Sequence, residues 1–250
     1  MTMDNNLRRY SDPTVVDHYE KAAGLQPCEE IIFDHWLKSG MAILDIGVGG
    51  GRTAPLLSQL SGRYVGIDYA EGMVAACKRR FPHLEFRHGD ATNLGEFRDG
   101  EFDAVVFSFN GIDCIPELAG RARAMGEAAR VLRPGGVFIV SSLNARCLAV
   151  WPQLSTARGG EIPRRIVYSL YATIRLAARV LPGATFWRGR GYVRDPVHGG
   201  LVHYNVTRRH MTAQLEAAGF EVVEIVGSHV QYSGRSSVTP WYYYACRKMA

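Results

Sequence analysis

No apolar run in this 250-residue chain reaches the roughly 18 residues that a membrane-spanning helix requires. The first residues, Met1 to Asp12, are polar and hold no hydrophobic core of a secretory signal, so a cytoplasmic protein is expected. Cysteine is sparse: Cys28, Cys77, Cys114, Cys147 and Cys246 are scattered without the paired spacing of a metal site, which reads as reduced thiols. No carboxylate cluster has the spacing of a cation site either, and no metal is expected. Low-complexity tracts are missing, while 47% apolar residues suffice for a real core. Lysine is scarce too, 4 against 25 arginines, a bias that the base composition of a gene produces without any functional demand. Eight of those arginines fall in residues 158–194, against the single acid Glu161, so that segment carries +7 and the remainder of the chain −2.

The chain is organised around residues 42–51, Ala-Ile-Leu-Asp-Ile-Gly-Val-Gly-Gly-Gly. A short apolar run ends in an acid, a glycine-dense turn follows, and the apolar spacing from Arg52 to Leu60 suits a helix. Strand, tight loop and helix N-terminus together form a cradle for a nucleotide-like ligand, because glycine lets backbone approach the ligand with no Cβ in the way. A dinucleotide fingerprint would place a third glycine where Arg52 stands, which counts against a dehydrogenase. A second strand, Tyr64 to Asp68, ends in an acid 19 residues beyond Gly49, the place from which a carboxylate can accept both hydroxyls of a ribose. A helix over Glu71–Arg80 and a strand over Leu84–His88 come next. The buried strand of residues 101–109 leads into Asn110-Gly111-Ile112-Asp113, polar groups at a strand's carboxyl end. A helix from Glu117 to Leu132 is expected to stop at Arg133-Pro134-Gly135-Gly136, glycine supplying its C-cap, before a strand over Val137–Ser142.

Asp45-x-Gly47-x-Gly49-x-Gly51 resembles motif I of the class I S-adenosylmethionine-dependent methyltransferases. Gly89-Asp90-Ala91 resembles that family's adenine site, and Arg130 to Gly136 its post-motif turn, before the fifth strand. The ending is similar as well: a helix from Arg208 to Ala218, Gly219-Phe220, a strand over Glu221–Val226 and a last strand within Thr239–Cys246. The resemblance covers roughly residues 14–143 and 206–247. It implies an α/β fold with a seven-stranded, mostly parallel Rossmann-like sheet and a C-terminal antiparallel hairpin. The implied cofactor is S-adenosyl-L-methionine, leaving as S-adenosyl-L-homocysteine, held by Asp45, Gly47, Gly49, Asp68, Asp90, Ala91 and Phe109. By the same resemblance Tyr19 closes over the cofactor and Met73 packs on adenine.

The whole of 1–250 is then one methyltransferase domain, interrupted where β–α alternation breaks near Asn144. Residues 145–205 are too many for an ordinary connection and are expected to form a largely helical lid for acceptor recognition. Within it, Arg164–Leu181 reads as a basic amphipathic helix, with contact to an anionic membrane surface as another use. The expected reaction is methyl transfer to an oxygen or nitrogen of a small-molecule acceptor, a sugar or specialised metabolite, acidic if the arginines face it. RNA is the competing substrate, disfavoured because no RNA-binding module or stacking platform accompanies the arginines; a non-catalytic cofactor-binding scaffold is the other alternative. For a hydroxyl acceptor the base is expected to be Asp113 or His203, with Asp113 alternatively capping the helix near Pro116-Glu117 and His210 read as an ordinary helix residue.

Overall fold

The computed structural model describes residues 2–147, 185–195, 200–230 and 236–249. Three helices, α1 (Thr2–Tyr10), α2 (Pro13–Glu20) and α3 (Pro27–Trp36), precede β1 (Met41–Ile46). There follow α4 (Ala54–Leu60), β2 (Ser61–Asp68), α5 (Glu71–Arg80), β3 (Glu85–His88), β4 (Phe102–Phe107), α6 (Leu118–Val131) and β5 (Leu132–Asn144). The remainder comprises the single turn α7 (Thr185–Arg188), β6 (Arg190–Asp195), β7 (Leu201–Val206), α8 (Arg208–Ala217), β8 (Phe220–Gly227) and β9 (Trp241–Lys248).

Local chemistry accounts for the helix starts. Asp12 caps α2 by accepting from the Thr14 amide, and Pro13 occupies the first helical position, where a missing N–H costs nothing. In α3 the Glu29 carboxylate reaches back to the Gln26 amide at 2.8 Å, as a capping box does. Thr207 caps α8. The stop of α6 differs from expectation. Its C-cap is Leu132 in extended conformation, and the glycine with left-handed φ is Gly135, within the first residues of β5. Proline at 134 and the extended Leu132 end the helix without a glycine cap.

β1, β2, β3, β4 and β5 pair in parallel in the order β3-β2-β1-β4-β5, and the antiparallel pair β8–β9 joins through β9 along β5. These seven strands give the expected mostly parallel sheet with its C-terminal hairpin, and β6 and β7 bring the sheet to nine where seven were expected. Alternate residues feed two apolar layers. Leu44, Ile46, Val105 and Phe138 face α6 and α8, while Ile43, Ala104, Val106 and Ile139 face α3, α4 and α5. Burial on both faces is why the parallel strands read as continuous apolar runs. The strand order reverses between β1 and β4, and that switch point places the glycine loop beside the end of β4.

Two features were not foreseen. Residues 2–10, read only as polar, form α1. Of the inserted segment, the described part holds the single turn α7 and a hairpin, β6 with β7. β7 pairs in parallel with Leu143 and Asn144 of β5, past Phe107↔Val140 where β4 lets go, while β9 holds the other edge of β5. The hairpin thus prolongs the sheet at the carboxyl ends of its strands. The amphipathic stretch 164–181 lies outside the described residues.

Candidate functional site

The glycine loop is built by backbone conformations that only glycine adopts cheaply. Gly47, Gly49 and Gly51 have φ of 67°, 54° and 79°. The Gly47 and Val48 amides bond the Ile67 carbonyl at 2.8 and 3.1 Å, tying the loop to the end of β2. Space is equally demanding. A Cβ on Gly49 would lie 3.2 Å from the Tyr19 ring, and one on Gly50 would lie 2.2 Å from the Tyr19 carbonyl oxygen. The N-terminal helices therefore rest directly on the loop, with the Tyr19 ring against Gly49.

Asp68 stands at the end of β2 with Oδ2 accepting from the Gly49 amide and Oδ1 from the Ala70 amide, both at 2.9 Å. Burial pushes its carboxyl above the usual range, the two amide bonds pulling the other way. Each oxygen retains a second lone pair for a hydroxyl. Asp90, exposed at the end of β3, accepts from the Thr92 amide at 2.8 Å, with Ala91 buried beside it. Asp45 lies under the loop rather than on it. Its Oδ2 accepts from Thr53 Oγ1 at 2.7 Å and Tyr64 Oη at 3.0 Å, and burial raises its carboxyl to about 7. Met73 is 1% exposed and packs with Val16, Ala70 and Ala76 against Leu7, Tyr10 and Tyr19. What this methionine meets is the N-terminal pair of helices, where an adenine-facing position was expected.

Beyond β4 the chain takes an unusual turn. Phe109 and Asn110 are the non-glycine residues with positive φ among the described ones, at 51° and 65°. Such conformations cost about 1–3 kcal/mol each, more readily borne by asparagine than by phenylalanine. The turn is held from outside: the Phe109 amide donates to Tyr243 Oη at 3.1 Å and the Asn110 amide to Ser141 Oγ at 2.6 Å. The Phe109 ring is 44% exposed, with the Arg52 guanidinium 4.9 Å from its centroid and Trp241 edge-on at 6.0 Å. Asn110 Oδ1 and Tyr69 Oη are buried with no hydrogen-bond partner.

Asp113, expected to face the acceptor, is fully buried in the 3-10 turn Gly111–Cys114. Oδ1 accepts from Arg121 Nη1 at 2.8 Å and Ser142 Oγ at 2.7 Å, and Oδ2 from the Leu143 amide at 2.6 Å. Burial raises its carboxyl to about 6 despite Arg121. Both oxygens are engaged, so the arrangement does not present the open base that was expected. It does not cap α6 either, whose N-cap is Glu117. His203 lies half-buried on β7 opposite Val193. His210 shares a 2.8 Å hydrogen bond with the capping Thr207 hydroxyl, as befits a helix residue.

Sequence reading missed the residues that join the two loops. Glu29, buried on α3, receives Arg52 Nη1 and Nη2 at 2.5 and 2.6 Å, and Ser108 Oγ and Tyr243 Oη at 2.5 Å. The signal available was Arg52 itself, in the place of the fingerprint's third glycine, together with the Gln26-x-x-Glu29 capping spacing.

Residues 44–140 match the family described as "Methyltransferase domain". Over these residues the chain is similar to the methyltransferases. A probable S-adenosylmethionine-dependent methyltransferase of Mycolicibacterium smegmatis is 30% identical over 189 residues, 76% of this chain and 55% of that protein. A demethylmenaquinone methyltransferase of Beutenbergia cavernae is 40% identical over 107 residues, 43% of this chain and 42% of the relative. This chain spans about half the length of the curated relatives it matches. Among solved structures, the Burkholderia thailandensis 1,6-didemethyltoxoflavin-N1-methyltransferase, with S-adenosylhomocysteine bound, superposes with a TM-score of 0.63 at 18% identity. That superposition covers 99% of this chain and 87% of the other, a likeness of fold.

S-adenosylmethionine is the cofactor that these likenesses support. The residues present fit it: a glycine cradle that a Cβ would fill, a strand-end carboxylate with spare lone pairs, and two orphaned buried oxygens, on Asn110 and Tyr69, at the ends of β4 and β2. No helix among the described residues is long and apolar enough to cross a membrane. Among the same residues there is no group of three or more His, Cys, Asp or Glu side chains suited to a metal.

Proposed function

We propose that the protein transfers a methyl group from S-adenosylmethionine to an oxygen or nitrogen of a small-molecule acceptor. The supporting observation is the join between Asp68 and the glycine loop at the sheet's switch point, with Phe109-Asn110 across from it. In this reading Gly47 and Gly49 admit the cofactor's amino-acid end, Asp68 accepts from its ribose, and Asp90 with Ala91 flanks its adenine. Bound there, the cofactor supplies a sulfonium that activates the methyl. The protein's own work is to orient, to exclude water and, for a hydroxyl acceptor, to receive a proton. Tyr19 and the N-terminal helices exclude water on the cofactor side. Residues 145–205 form the acceptor side, a role supported by the seat of the β6–β7 hairpin at the carboxyl end of β5. His203, on that hairpin, is the proposed base, since histidine needs no large pKa shift and Asp113 is engaged by Arg121.

An apolar, ring-bearing acceptor is favoured within this class. Phe109 is exposed beside Trp241 at the strand ends, and one relative is named for demethylmenaquinone.

Calorimetry with S-adenosylhomocysteine tests the site. Asp68→Ala is expected to weaken binding by roughly 1.5–3 kcal/mol, the worth of hydrogen bonds to a charged group; an unchanged affinity removes Asp68 from the site. Turnover on hydroxyl- and amine-bearing small molecules, with RNA in parallel, decides the acceptor class, and turnover on none of them favours a scaffold. On a hydroxyl acceptor, single-turnover transfer by His203→Gln is expected to fall about 10²–10⁴-fold, the usual worth of a general base. A rate near that of the unaltered protein leaves His203 without that role.

A further inference from the structure

We infer that Glu29 is a positioning residue that sets the glycine loop and the turn after β4 at a fixed separation, and so governs cofactor affinity without touching the cofactor. The inference rests on the reading that these two segments frame the cofactor.

The carboxylate lies on α3, is completely buried, and accepts hydrogen bonds from four other parts of the chain. Arg52 comes from the glycine loop, Ser108 from the end of β4, Tyr243 from β9, and the Gln26 amide from the start of its own helix. Burial alone would push this carboxyl up, but the paired guanidinium and the other donors carry it below the usual glutamate range. It is therefore a charge held in the interior by its partners. Each partner then acts on a ligand-facing segment. Tyr243 donates its hydroxyl hydrogen to Glu29 while its oxygen accepts the Phe109 amide, so the strained turn is fixed by way of the carboxylate. Arg52, oriented by two bonds to Glu29, also donates to the Gly24 carbonyl and lies over the exposed Phe109 ring. The residue that breaks the dinucleotide fingerprint thus replaces a packing glycine with a tether. A buried carboxylate with this many donors exceeds what capping α3 requires, because the Gln26 amide alone satisfies the cap.

Two variants separate positioning from mere stability. Glu29→Gln keeps the shape and removes the charge that holds Arg52; Tyr243→Phe removes only the hydroxyl between Glu29 and the Phe109 amide and decides the matter if the first fails to fold. Ile32→Val, a buried α3 change outside the network, serves as a stability control. S-adenosylhomocysteine is titrated calorimetrically well below each melting temperature. Both network variants are expected to raise Kd about tenfold or more, as loss of hydrogen bonds to charged groups does, with the control unchanged. Folded network variants with Kd within about twofold of the unaltered protein overturn the inference, as does an equal rise in Ile32→Val. If Asp68→Ala also leaves Kd unchanged, the placement of the cofactor site has failed. If Asp68→Ala weakens binding and the network variants do not, the role of Glu29 has failed.

Discussion

At the scale of single residues, the carboxylates of this chain divide by what surrounds them. Asp90 is exposed beyond a strand end, whereas Asp45, Asp68, Glu29 and Asp113 are buried among protein donors. The carboxyls of Glu29 and Asp45 shift in opposite directions. The donors around Glu29 outweigh its burial, but Asp45 has only two hydroxyl donors, and burial carries its carboxyl from 3.8 up to about 7. A carboxyl raised in the folded state binds its proton more tightly there than in the unfolded chain. Its favourable contribution is thus complete below about pH 4 and is lost as pH rises toward about 7, at up to about 1.4 kcal/mol per pH unit. Asp45→Asn removes that titration while keeping an oxygen for Thr53 and Tyr64. Urea unfolding between pH 4 and 8 is expected to show the variant gaining stability relative to the unaltered protein across that window. A constant difference at every pH would mean that Asp45 titrates normally in the folded state.

At the scale of elements, legibility followed periodicity and turn chemistry. The Glu71–Arg80 helix was read to the residue because an acidic first turn and a basic last turn, Lys78 to Arg80, bracket it. β1, β2 and β4 announced themselves as apolar runs, since a parallel strand is buried on both faces. The glycine loop was visible because left-handed backbone has few other sources. What escaped was whatever depends on a distant partner. The neighbours of Met73 are one case: Val16 and Tyr19 reach it from α2, packed across α5. Asp113 was expected to face the acceptor from its place after β4; Arg121, Ser142 and Leu143 engage it from two other elements. The β6–β7 hairpin was obscured by arginines and aromatics that fit a helix face and a strand edge equally well. Gly50 makes the same point in reverse. Its φ is unremarkable, and its glycine is required by the Tyr19 carbonyl, a contact invisible in any local window.

At the scale of the molecule, the first helix, the turn after β4 and the inserted hairpin meet at one side chain. Asn6, 2% exposed on α1, donates from Nδ2 to the carbonyls of Cys114 at 3.0 Å and Val202 at 2.9 Å, and its Oδ1 accepts the Val202 amide at 3.0 Å. Its carboxamide serves β7 as a neighbouring strand would. Val202 lies past the two-residue pairing of β7 with β5, where that edge would otherwise be open. Asn5 adds a bond to the Gly200 carbonyl at 3.0 Å. The N-terminal helices and the inserted hairpin are thus fastened to each other as well as to the sheet. Asn6→Ala leaves the amide and carbonyl of Val202 unpaired and is expected to cost about 1–3 kcal/mol, the penalty for stranding buried polar groups. The distribution of that loss is the informative part. Hydrogen exchange is expected to quicken at Val202 and across α1 together, with release of S-adenosylhomocysteine faster in stopped flow, while the amides of β1 and β2 keep their protection. If exchange quickens in α1 alone, the hairpin is held by β5 without help from Asn6. If the whole sheet loses protection equally, Asn6 contributes global stability and does not fasten the two sides of the site.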